Sequence, residues 1–147
     1  MIHTLPGPRS GQRYYYTERS LPLKDKESLT PELIVGIVSE RKVTDLVVID
    51  VAGASGFADY IIIMSGSSDR QVISTAKHID ESLSKRHIHP LGIEGMNEGR
   101  WVLMDFGDIV IHVFLDAARS FFDLEGIWAD APRTWYDETG KAVTEKQ

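Results

Sequence analysis

The chain has 147 residues, enough for one domain with a substantial core and too few for two. Hydrophobic residues make up 42% and charged residues 26%, as in ordinary globular proteins, and the absence of cysteine excludes disulfides, thiolate nucleophiles and cysteine-ligated zinc. A formal charge of −6 disfavours direct wrapping of nucleic acid, which needs a basic surface, and suits docking on a basic protein.

In chain order, residues 1–28 hold Pro6, Pro8, Pro22 and the run Tyr14-Tyr15-Tyr16 without helical or strand periodicity, so an irregular N-terminal extension is expected. Arg9, Arg13 and Arg19 faintly resemble a transit peptide, but Pro and Gly oppose the amphipathic helix such a segment forms. Without a membrane-length apolar run or a signal-peptide apolar region, no membrane partner is expected. The expected compartment is the cytoplasm, with an organelle as the second reading.

The folded domain is expected over 29–131. Thr30-Pro31-Glu32 reads as a helix start, with Thr30 as cap, Pro31 at the first helical position and Leu29 as a staple on Ile34. Leu33, Ile34, Ile37 and Val38 then form an apolar stripe. Leu46-Val47-Val48-Ile49 and Tyr60-Ile61-Ile62-Ile63-Met64 read as strands buried on both faces. Ser67-Ser68-Asp69 starts a second helix with the stripe Val72, Ala76, Ile79 and Leu83. A short strand over 90–93, strands over 101–106 and 109–115 and a last helix over 116–128 follow. Pro132 is expected to end the compact part, leaving 132–147 as a C-terminal tail. The order predicts an α/β (α+β) domain, a mixed β-sheet flanked by helices.

Gly107-Asp108 between two apolar runs predicts a two-residue hairpin of type II′, with glycine at the first central position. Phe106 then opposes Ile109, Met104 opposes Ile111 and Val102 opposes Val113 on a wholly apolar face. The other face pairs Asp105 with Val110, Leu103 with His112 and Trp101 with Phe114. That mixed face is either covered by helices or used in part for docking, and Trp101 is its natural anchor.

Candidate chemistry is sparse. Asp105-Phe106-Gly107 matches the magnesium-binding tripeptide of protein kinases, yet the glycine-rich loop, the Val-Ala-Ile-Lys strand and the His-Arg-Asp loop are missing. Gly66-Ser67-Ser68-Asp69 between strand and helix resembles the start of a nucleotidyltransferase site, which adds two carboxylates one residue apart; the predicted strands carry no such pair, and helix capping explains the serines. His87, His89 and Glu94 lack a register that would aim three zinc ligands, and His112 has no neighbouring nucleophile. No catalytic residue, cofactor or metal site is expected.

Asp59-Tyr60-Ile61-Ile62, Ser65-Gly66-Ser67-Ser68, Gly92-Ile93-Glu94-Gly95, the stretch from Trp101 to His112, and Arg119-Ser120-Phe121-Phe122-Asp123-Leu124-Glu125 with Trp128, Asp130 and Ala131 together resemble the Iojap-type ribosomal silencing factors. The resemblance covers about residues 30–131, with Phe122 where the family usually has tyrosine and Gln71 where histidine is common. It implies a nucleotidyltransferase-like fold without the catalytic carboxylate pair and without enzymatic activity. It also implies binding to the large ribosomal subunit through ribosomal protein L-fourteen, with little direct nucleic-acid contact, so that the small subunit is kept from joining and translation falls under nutrient limitation. The partner-binding residues it implies are Trp101, Leu103, Asp105, Gly107, Asp108, Arg119, Phe122, Leu124 and Glu125. A metal-dependent nucleotidyltransferase using Gly66, Ser67, Asp105 and Asp108, and a homodimer or scaffold module joined at the Trp101 face, are the alternatives.

Overall fold

A computed structural model describes residues 2–6, 13–17 and 28–146. β1 (Ile2–Pro6) and β2 (Arg13–Thr17) pair antiparallel as a two-stranded ribbon separate from the main sheet. The irregular extension expected over 1–28 is corrected there: β-prone Tyr14-Tyr15-Tyr16 lies in a strand. The rest of that stretch up to residue 27 lies outside the described residues.

The domain is a seven-stranded mixed sheet in the order β5-β6-β7-β4-β3-β8-β9. Its strands are β3 (Thr44–Asp50), β4 (Tyr60–Gly66), β5 (Gly92–Glu94), β6 (Trp101–Asp105), β7 (Ile109–Leu115), β8 (Arg133–Tyr136) and β9 (Ala142–Val143). β4 and β7 run parallel, and the other neighbours are antiparallel. The parallel pair follows from the connection: α2 (Asp69–Ser84) crosses over the sheet before the chain returns through β5 and β6.

Central strands alternate between two cores. Leu46, Val48, Ile62 and Met64 face the first core, against α1 (Pro31–Val38) and α2. Val47, Ile49, Ile61 and Ile63 face the second, beneath α3 (Asp116–Phe122) and α4 (Leu124–Ile127). Burial on both sides explains why these strands read as unbroken apolar runs. The α2 stripe Val72, Ala76, Ile79 and Leu83 is fully buried, and Ser68 Oγ accepts the Gln71 N–H as the cap. In α1 the Thr30 cap and Pro31 stand as expected, but Val35 is buried beside Ile34 and Val38, while Leu33 and Ile37 lie at the margin of the core.

The hairpin has the predicted register throughout, from Trp101 opposite Phe114 to Asp105 opposite Val110. Gly107 has φ +88°, and Asp105 Oδ1 accepts its N–H at 2.8 Å. Two expectations are corrected. The last helix is not continuous over 116–128, because Asp123 adopts a left-handed φ of +43° and divides it into α3 and α4. Nor does Pro132 end the compact part: the Pro132 carbonyl accepts from Asp50 N at 2.8 Å, and β8 runs antiparallel along β3 from Arg133 opposite Ile49 to Tyr136 opposite Leu46. A four-residue strand among polar neighbours carries too little apolar pattern to be read from sequence, although Trp135 packs on the second core.

Removing residues 132–147 therefore uncovers the edge of β3 and strips Trp135 from the second core. We expect this truncation to lower unfolding free energy by about 3 kcal/mol, given the usual cost of deleting a core-packed aromatic together with a strand that pairs the edge of β3. Urea denaturation of the shortened and full chains measures it.

Candidate functional site

On the face of the sheet above the second core, β6, β7 and the end of α3 bring four rings together. Trp101 stacks on Phe114 with centroids 4.9 Å apart and meets Phe122 at 4.6 Å; His112 lies 5.9 Å from Trp101. The indole Nε1–H donates to His112 Nδ1 at 2.9 Å, which assigns the histidine proton to Nε2 and fixes the tryptophan rotamer. Phe114 is fully buried, Trp101 is half-buried, and Phe122 is 43% exposed. Phe121, edge-on to Phe122 at 5.1 Å, is 82% exposed. The result is an aromatic ledge with a buried root and an open rim.

The ledge is held from below by Arg119, which is 4% exposed despite its charge. Its Nε donates to Glu125 Oε1 at 2.8 Å, and its Nη1 donates to the Asp45 carbonyl at 2.6 Å and to Ser65 Oγ at 2.9 Å. Nη2 lies 2.7 Å from the same Glu125 oxygen; it makes an ion contact there without hydrogen-bond alignment. Asp45 sits in a register shift of β3 with φ +50°, and this bulge frees the carbonyl that Arg119 receives. The guanidinium also lies 5.9 Å from the Trp135 ring.

The nine residues anticipated as a partner surface thus separate into three groups. Trp101, Leu103, Phe122 and Leu124 belong to the ledge or pack beside it on the second core. Arg119, buried, and Glu125, half-buried, form the lock beneath it, positioned to hold the ledge. Asp105, Gly107 and Asp108 form the hairpin turn, about 13 Å down β6 from Trp101 at the usual rise per residue. Sequence reasoning did not single out Phe121, nor a second exposed pair in which Phe57, 65% exposed, meets Trp128 at 6.1 Å beside Ile127. Two adjacent aromatics on a short helix cannot both face the core, which is the signal that could have found Phe121.

The groups weighed for chemistry have internal partners. Gln71 Oε1 accepts both the N–H (2.7 Å) and the hydroxyl (2.9 Å) of Ser67, while its Nε2 donates to the carbonyls of Arg41 and Lys42. The Ser67 amide that a phosphate would need is thereby occupied. His89 Nδ1 lies 3.3 Å from Ser84 Oγ, and no metal-binding group of three or more acidic or histidine side chains occurs among the described residues.

Burial pushes the His112 pKa down to about 4. The folded state keeps this imidazole neutral, whereas the unfolded chain protonates it below its ordinary value of 6.5. Its contribution to stability is therefore full above pH 6.5 and lost as pH falls towards 4, amounting to about 3 kcal/mol at most. We expect His112→Gln, whose amide oxygen can still accept from Trp101, to flatten that part of the profile when unfolding is measured from pH 7 to 4. Arg119→Met leaves the half-buried Glu125 without its cation and Ser65 and the Asp45 carbonyl without their donor, and should cost about 3 kcal/mol, against a smaller loss for Glu125→Gln, in chemical denaturation.

A family model described as ribosomal silencing factor during starvation, RsfS, matches residues 24–147. The ribosomal silencing factor RsfS of Bacillus subtilis is 41% identical over 93 residues, spanning 63% of this chain and 79% of that protein. That of Zymomonas mobilis is 36% identical over 113 residues, with 74% and 85% covered. Among solved structures, a Chromobacterium violaceum protein superposes with a TM-score of 0.65 at 32% identity, over 67% of this chain and 82% of that one. A Bacillus halodurans protein gives 0.61 at 29% identity, over 78% and 95%. With the family model spanning the whole sheet and both cores, this chain belongs to the ribosomal silencing factor (RsfS) family.

Proposed function

We propose that the chain binds the large ribosomal subunit through ribosomal protein L-fourteen and acts by occupying the surface where the small subunit would join. Translation then falls under nutrient limitation without any bond being made or broken. The observation that carries this reading is the aromatic ledge, in which Trp101 is rigidly held by His112 and Phe114 with Phe122 and Phe121 open at its rim. A preorganised aromatic cluster is the usual form of a binding hot spot. A mouse relative, 29% identical over 100 residues, is named mitochondrial assembly of ribosomal large subunit protein 1, which supports the large subunit as the partner.

Charge supports a basic protein as the direct contact. Asp116, Asp123 and Asp130 lie on α3 or in the turns that follow α3 and α4, and Asp105 and Asp108 stand at the hairpin farther along β6. Of the cations on this side, Arg119 and Arg133 are turned inward, Arg133 onto the Trp128 and Ala131 carbonyls, while Arg100 and Lys146 are exposed. Opposite local charge steers such encounters and selects the partner. The kinship with nucleotidyltransferases and a cytoplasmic location belong to this same proposal; no described helix is long and apolar enough to cross a membrane.

Sedimentation with purified large and small subunits tests the reading. We expect comigration with the large subunit and fewer joined ribosomes, and an absence of comigration at physiological salt overturns it. Trp101→Ala should weaken binding about 30-fold, the equivalent of roughly 2 kcal/mol for a hot-spot tryptophan. Wild-type affinity in that variant would remove the ledge as the contact.

A further inference from the structure

On the opposite face of the sheet, α2 carries a cleft of different character, lined by Arg41, Arg70, Ile73, Ser74, Lys77 and His78. Arg70, Ser74 and Lys77 stand at i, i+4 and i+7 and therefore on one line of the helix. Arg41 reaches this line from the loop after α1 and donates from Nη2 to Ser74 Oγ. That loop is pinned to α2 by Gln71, whose Nε2 donates to the Arg41 and Lys42 carbonyls at 3.1 Å each. Arg70 and Lys77 are exposed, and among the described residues neither makes an ion pair. Two acids flank the cationic middle. Asp69 turns its carboxylate onto the Arg70 N–H at the helix start, and Glu81 lies one turn beyond Lys77.

The setting makes this concentration notable. Arg41, Lys42, Arg70, Lys77, Lys85 and Arg86 are six of the eleven lysines and arginines after residue 28, gathered on α2, the loop that follows it and the loop after α1; against Glu40, Asp69, Asp80 and Glu81 on the same segments this leaves a local balance of +2 (six less four) in a chain of net charge −6.

We infer that this α2 cleft is a second contact of the chain, one that takes the phosphodiester backbone of RNA. The inference rests on the ribosomal reading above for the identity of that RNA, which would be the large subunit's own ribosomal RNA beside the protein bound by the ledge. Guanidinium forks and a hydroxyl suit phosphate oxygens better than they suit single carboxylates scattered on a protein. About 10 Å of helix axis separates Arg70 from Lys77, so a polyanion with successive phosphates engages both ends of the cleft while a single small anion does not. The expectation of little nucleic-acid contact, drawn from overall charge, averages over a local cluster of cations.

The full chain and its Arg70→Glu/Lys77→Glu variant should be compared on two targets: ribosomal RNA stripped of protein from large subunits, and intact large subunits. We expect the wild type to retain the stripped RNA at low salt and the variant to lose it. On intact subunits the variant should bind about tenfold more weakly, with the slope of log affinity against log salt smaller by about two. Arg70→Lys/Lys77→Arg should retain binding, and circular dichroism of both variants separates loss of contact from loss of fold. Equal RNA retention by wild type and the charge-reversed variant overturns the inference. So does a wild type that ignores RNA at low salt, or one that is stabilised by inorganic phosphate alone. Retention of stripped RNA through Arg70 and Lys77 without binding to intact subunits would instead overturn the ribosomal reading and leave the RNA contact standing.

Discussion

One buried guanidinium ties this structure together. Placing Arg119 beneath α3 removes its charge from water, a cost of several kcal/mol that only well-aimed partners offset. The partners come from across the chain: the Asp45 carbonyl from β3, Ser65 Oγ from β4, the Glu125 carboxylate from α4 and the Trp135 ring from β8. Two of these partners account for local irregularities. The β3 bulge frees the carbonyl, and the left-handed Asp123 turns the chain so that α4 brings Glu125 back towards α3. What look like two unrelated departures from regular structure serve one requirement.

The ledge depends on that requirement. Phe122 ends α3, and its position over Trp101 is set by where Arg119 holds the helix against β4. Trp101 is fixed from the other side by His112, whose depressed pKa keeps the ring able to accept the indole proton at neutral pH. Two buried polar groups thus orient a surface that is itself apolar. Such groups leave less freedom to lose when a partner binds, which is how preorganisation raises affinity without added contact area.

Much of the fold was legible because its signals are periodic and local. The α2 stripe, the Thr30 and Ser68 caps and the full register of the hairpin follow from residue spacing and from Gly107-Asp108 alone. The lock was not legible. Arg119 and Glu125 are six residues apart, neither i+3 nor i+4, and reading them as surface contacts ignored a break at Asp123 that carries no glycine or proline signal. β8 escaped for a similar reason, since a short strand after Pro132 gains its place from β3 and the second core and not from its own pattern. The cleft on α2 was hidden by averaging: net charge describes the chain, whereas recognition depends on where the charges stand.

The disposition of reactive groups bears on how the molecule acts. Ser67 is held by Gln71, Asp105 serves the hairpin turn, His112 accepts from Trp101, and Ser84 lies against His89. Each of these groups is held by a contact within the fold. The outer surface carries an aromatic rim on one face and, on the other, a cleft lined by Arg41, Arg70 and Lys77. An aromatic ledge on one face and a cationic cleft on the other suit a partner that offers basic protein and RNA side by side. A factor gripping both would be oriented as well as attached, and orientation is what a steric mechanism needs, because blocking depends on where the bound body projects.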